Sequence, residues 1–193
     1  MKTKLITTLA ASAFVGSAGA QVLTGGTDFT FSSWDGVVTP VWASNPSLNN
    51  PANTANGVGI SGSGADGIVF DLPAQTPTTF NYTFATASDI STFSINVFSG
   101  GAVDNGVRDF TLNLTDGTTT LASLSDTAAL NGVEQVFSVS ALGVTNAQLI
   151  VNSSYAAQTH AEFSEIRFNA VPEPSSALLF GLGGLGFLAR RKR

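Results

Sequence analysis

Arg108-Asp109-Phe110-Thr111-Leu112-Asn113-Leu114-Thr115-Asp116-Gly117 puts Phe110, Leu112 and Leu114 on one side of a period-two alternation and Thr111, Asn113 and Thr115 on the other. That is a strand with one apolar and one polar face, and the Asp-Gly closing it tolerates the positive φ of a tight turn. The period recurs outward in both directions. Ile68, Phe70 and Leu72 keep it, as do Phe93, Ile95 and Val97, then Val133, Phe137 and Val139, then Ala147, Leu149 and Val151, and last Ile166 and Phe168. Phe29 and Phe31 alternate with Thr30 and Ser32, while Trp34 falls out of phase and marks a bulge or the strand's end. Less regular strands are expected around residues 80–84 and 118–124. Asp35-Gly36, Asp66-Gly67, Gly100-Gly101 and Asn131-Gly132 punctuate the gaps. No 3.6-residue apolar period lasts for a full helix, residues 126–130 coming nearest. Eight or nine short strands predict an all-β antiparallel β-sandwich with Phe93, Ile95, Val97, Phe110, Leu112, Phe137, Leu149, Ile166 and Phe168 facing inward.

The ends of the chain read differently. Lys2 and Lys4, an apolar stretch from Leu5 to Val15 and the small residues Ala18-Gly19-Ala20 have the order of a secretory signal peptide, which assigns residues 1–20 to it and Gln21 to the new N-terminus. Residues 21–170 are then one domain in size. Residues 171–193 hold Pro172-Glu173-Pro174, an apolar run from Ala177 to Ala189, and Arg190-Arg191-Lys192-Arg193. The run is shorter than the about 20 residues of an ordinary membrane span. It predicts a short transmembrane-like helix starting near Ser175, with the four cations on the cytoplasmic side.

Between Gln21 and Ala170 there is no lysine, and Arg108 and Arg167 face twelve carboxylates, a formal net charge of −10. Such a surface repels nucleic acid, which is bound by neutralising its phosphates, and offers no basic patch to anionic lipid. The absence of cysteine excludes thiol chemistry and zinc–thiolate sites. His160 is the single histidine and reads as a polar loop residue between two strands. Calcium is the one metal for which suitable oxygens exist, on the turn that carries Asp104 and Asp109 and along the asparagines of residues 45–56. The same residues are ordinary turn formers. No catalytic cofactor is expected.

Residues 37–66, with three prolines, five asparagines and four glycines, form a long irregular loop. Trp42 sits in it beside Asn45 and Asn49. It is either a plug for the end of the sandwich or a platform on which a sugar ring stacks.

The tail, in the order Pro172-Glu173-Pro174, apolar segment, Arg190 to Arg193, resembles the PEP-CTERM sorting signal of Gram-negative bacteria. The resemblance implies export, transient anchoring in the inner membrane, processing by an exosortase after signal peptidase has acted, and delivery to the outer surface or extracellular matrix. It often accompanies exopolysaccharide and biofilm. The body, through residues 67–72, residues 90–97, residues 108–112 with Asp116-Gly117, and the closing Glu165-Ile166-Arg167-Phe168, resembles the discoidin or coagulation-factor C-type domain. That implies a jelly-roll of the galactose-binding-like kind. Two functions remain open. One is a non-enzymatic, surface-sorted protein that associates with extracellular polysaccharide. The other is a secreted carbohydrate-active enzyme on the same scaffold, using an acid pair such as Glu162 and Glu165.

Overall fold

The computed structural model describes residues 20–38, 49–57, 67–73, 76–97, 105–155 and 160–171. Among them are nine strands: β1 (Gln21–Leu23), β2 (Phe29–Trp34), β3 (Ile68–Asp71), β4 (Thr78–Asn96), β5 (Asp109–Thr115), β6 (Thr120–Thr127), β7 (Glu134–Val151), β8 (His160–Phe163) and β9 (Ile166–Ala170). One short 3-10 turn, Pro51–Ala55, is capped by the Asn50 side chain, which accepts from the Ala52 amide. Every strand pair is antiparallel, so the sandwich predicted from the alternation is the one observed.

Two strands are far longer than the sequence pattern implied. The runs at 80–84 and 93–97 fall in the two halves of β4, 19 residues long, Val97 just past its end, and the runs at 133–139 and 147–151 fall in β7, 18 residues long, Val133 just before its start. Each strand crosses from one layer to the other. The first half of β4 pairs with β2 and with the second half of β7, which continues to β5 and β6. The second half of β4 pairs with the first half of β7 and with β9, which carries β1. Register breaks between Thr83 and Thr92 mark the corner. Strands that change layers through bulges are how such corners are made. Gly143 sits there at φ 69°, where a side chain would be strained, and its amide donates to the Asp89 carboxylate at 2.8 Å. Residues 85–87 and Leu142 lie exposed at this corner, so their sequence reads as a gap between strands.

Aromatic rings join the layers. Phe29 of β2 meets Phe168 of β9 edge-on at 5.1 Å, Phe110 of β5 lies 5.7 Å from Phe93 of β4, and Phe80 lies 5.1 Å from Phe163 of the β3–β8 pair. Of the nine residues predicted to face inward, eight are fully buried. Phe137 is only half-buried, although it packs on Phe93 and Phe110. Val133 is exposed, because it stands just before β7, whose first half lies at the edge of its layer. The phase break at Trp34 is a bulge between Phe31 and Ser33, which turns the indole inward onto Phe80 and Phe70. His160 begins β8, paired with Asp71, rather than standing in a loop. No helix among the described residues is long and apolar enough to cross a membrane. The helix expected after Ser175, like the residues from Pro172 onward, lies outside the described residues.

Candidate functional site

The loop bearing Trp42 is tied to one strand at both ends. Val38 bridges to Phe70 and Asn49 to Ile68, both of β3. Past Asn49 the 3-10 turn closes on the core: Ala55 is buried, and the Thr54 and Tyr82 hydroxyls share a hydrogen bond of 2.9 Å. Burial raises the Tyr82 pKa, so the phenol stays neutral. Asn49 therefore stands, half-buried, where the chain rejoins the sheet. Trp42 and Asn45 lie outside the described residues.

Of the two acids expected near calcium, Asp104 lies outside the described residues. Asp109 opens β5 and is surrounded by donors. Its carboxylate accepts from the Ser153 hydroxyl at 2.6 Å, the Arg108 guanidinium at 2.8 and 2.9 Å and the Thr127 hydroxyl at 2.8 Å. Those bonds, Ser153's foremost, hold it below the ordinary carboxylate range. No group of three or more histidine or acidic side chains that could hold a metal occurs among the described residues.

The acid pair named from the sequence is split in character. Glu165 lies beyond the end of β8 and meets the Arg167 guanidinium at 3.4 Å, which also reaches Glu134 at 3.9 Å. Glu134 in turn accepts from the Ser94 hydroxyl. Glu162 is in mid-β8, opposite Val69, with its backbone bonded to Asn105 and Val107. Only 8% of it is exposed, and burial pushes its pKa up to about 7. Its alternation within β8 gave no hint of that burial.

The alternation reading treated Thr111, Asn113 and Thr115 only as the polar side of a strand. Register places them in rows across five strands. In the central row Ser33 of β2 accepts from Asn81 of β4 at 3.1 Å, whose amide oxygen accepts from Gln148 of β7 at 3.3 Å. Gln148 accepts from Asn113 of β5 at 3.3 Å, and Asn113 from Ser123 of β6 at 2.8 Å. Flanking rows hold Thr83, Asn146 and Thr115 on one side and Thr79, Ile150, Thr111 and Ser125 on the other. A shallow depression of ≈ 350 Å³ lies between Asn81, Asn113, Thr115, Thr120, Asn146 and Gln148. Sequence spacing alone does not reveal such rows, since their members come from strands up to about a hundred residues apart.

Residues 170–193 match the PEP-CTERM protein-sorting motif. No curated protein sequence matches the chain. Among solved structures, the fold is similar to the C-terminal domain of a chitobiase from Bacteroides fragilis, with a TM-score of 0.60 and 13% identity over 78% of this chain and 97% of that one. It is also similar to the family 32 carbohydrate-binding module of Clostridium perfringens NanJ in complex with galactose (TM-score 0.53, 10% identity, 73% and 93% covered). An F5/8 type C domain of another Bacteroides fragilis protein matches with a TM-score of 0.51 and 11% identity, over 76% and 99%. The chain thus carries a jelly-roll β-sandwich similar to F5/8 type C and family 32 carbohydrate-binding domains, ended by a PEP-CTERM protein-sorting motif.

Proposed function

We propose that this is an exported, surface-sorted, non-enzymatic glycan-binding protein. Residues 1–20 direct export and are removed by signal peptidase, residues 21–170 are the binding domain, and residues 171–193 hold the chain in the inner membrane until an exosortase acts near Pro172-Glu173-Pro174. The product stays at the outer surface among extracellular polysaccharide. The observation that carries the binding part is the likeness, over about three quarters of the chain, to a module solved with galactose. The acidic, lysine-free body supports it by disfavouring nucleic acid and anionic membrane as partners. The ligand is placed at the Trp42 loop with Asn45 and Asn49, because an indole face packs well on the C–H face of a sugar.

Tryptophan fluorescence of the full chain, titrated with a panel of polysaccharides with and without calcium, tests the site. Quenching that a Trp42→Ala variant loses is expected; quenching unchanged in that variant would move the ligand elsewhere. Mass spectrometry of the protein from its host's surface tests the sorting step, which fails if residues 177–193 remain on the extracellular form. A second reading draws on Glu162, whose raised pKa suits a general acid. Glycan cleavage abolished by Glu162→Gln or Glu165→Gln would replace binding with hydrolysis.

A further inference from the structure

We propose that the outer face formed by β2, β4, β7, β5 and β6 is a second glycan surface, independent of the Trp42 loop, and that it takes an extended, uncharged polysaccharide laid across the strands. The central row carries the argument. A primary amide has two N–H donors and one oxygen with two lone pairs. In Asn81, Gln148 and Asn113 one N–H and one lone pair are used within the row, and all three amides donate in the same direction, towards β2. Each keeps one N–H and one lone pair for a ligand, and all three side chains are half-exposed. Their neighbours fix their orientation, so a ligand meets donors and acceptors whose rotamers are already set, and less entropy is lost on binding.

Spacing and charge select the occupant. Neighbouring strands lie about 4.7–4.9 Å apart, close to the length of one pyranose ring along an extended chain, so successive sugars would meet successive amides. The rows from Thr79 to Thr83 across to Ser123 and Ser125 contain no charged side chain, in a body with twelve carboxylates. Carboxylates at the borders of the face are already bonded. Asp35 accepts from the Thr79 amide at 2.7 Å, Asp116 from the Thr118 and Thr119 amides at 2.8 and 2.7 Å, and Asp109 from Arg108, Ser153 and Thr127. A polyanion would meet the repulsion of the body's net charge, and a polycation would find no free carboxylate in the rows. A neutral chain of hydroxyl groups matches both conditions. Ile150 in the flanking row offers an apolar spot for the C–H groups of a ring.

The experiment is isothermal titration calorimetry of the full chain with cellohexaose, with an oligomer of guluronate as the anionic counterpart. The Trp42→Ala variant is used throughout, so that the loop lacks its stacking platform. Binding of cellohexaose but not of the guluronate oligomer is expected. Gln148→Glu, which preserves size but removes the donor to Asn81, should weaken it at least tenfold with an unchanged melting temperature. If Gln148→Glu fails to fold, Asn113→Asp makes the same substitution in the next strand. No heat with cellohexaose in Trp42→Ala overturns the proposal, and quenching of wild-type Trp42 by the same sugar would then leave the loop reading standing. Equal affinity in the Gln148→Glu variant also overturns it. So does sedimentation showing a wild-type dimer that Gln148→Glu splits while cellohexaose remains silent, since the face would then belong to a second copy.

Discussion

Replacing Glu162 by glutamine should stabilise the protein in alkali and do nothing in acid. Glu162 is buried in mid-β8, and burial lifts its pKa from an ordinary 4.5 to about 7. Below pH 4.5 the carboxyl is protonated in both folded and unfolded chains, and its burial is a matter of a neutral group. Between pH 4.5 and 7 the unfolded chain loses the proton while the folded chain keeps it. The folded state then binds more protons, so stability falls as pH rises, by about 1.4 kcal/mol per pH unit. Above pH 7 both states are ionised and the loss levels off at about 3 kcal/mol. Glu162→Gln keeps the shape and removes the titration. Urea unfolding of both proteins at intervals from pH 4 to 9 gives a difference curve in which every other titrating group cancels. It should be near zero at pH 4, rise through pH 5 to 7, and reach about 3 kcal/mol in the variant's favour by pH 8. A flat difference curve, or a variant less stable at pH 8, would refute the assignment of a buried, uncompensated carboxyl.

Phe110→Ala removes a ring that is 1% exposed and packs on Phe93 and Phe137, and should lower the unfolding free energy by about 3–5 kcal/mol. Phe137→Ala, at the half-buried edge, should cost clearly less, and equal losses in chemical denaturation would contradict the packing described. Asp89→Ala leaves the Gly143 amide without its acceptor at the corner and should cost about 1–3 kcal/mol. Gly143→Val forces a branched side chain into positive φ and should cost more than 1 kcal/mol even though nothing crowds that position. Thermal melts of both variants check the corner, and wild-type melting in both would show that the bend does not depend on it.

The strands were legible because each buries one face, and burial on one face imposes a period of two. Phe93, Ile95 and Val97, or Phe110, Leu112 and Leu114, can satisfy that condition only as strands facing a core. Trp34's departure from the period was a bulge signal for the same reason. The continuity of β4 and β7 was not legible. Residues 85–87 are exposed at the corner, and an exposed Ala-Thr-Ala stretch carries no period to read. The amide row was hidden for another reason: Asn81, Gln148 and Asn113 become neighbours only through register, and register is decided by partners far away in sequence. Glu162's burial depends on what covers β8 and not on its own alternation. The tail was readable on its own, since its three parts are contiguous. Trp42's position, which sequence left between plug and platform, lies outside the described residues.

The pairing of Gln21 with Ala170 has a mechanical consequence. The strand that leads into the sorting motif, β9, is not at an edge: β1 flanks it on one side and β4 on the other, and only Val171, whose amide is held by the Asp89 carbonyl at 2.7 Å, separates it from Pro172. Tension applied through the tail runs along β9 and loads its hydrogen bonds to both neighbours together, in shear, instead of peeling them off one at a time. A body joined in this way to whatever holds its C-terminus would resist drag as a unit, and its first strand would be clamped beside the point where the load enters.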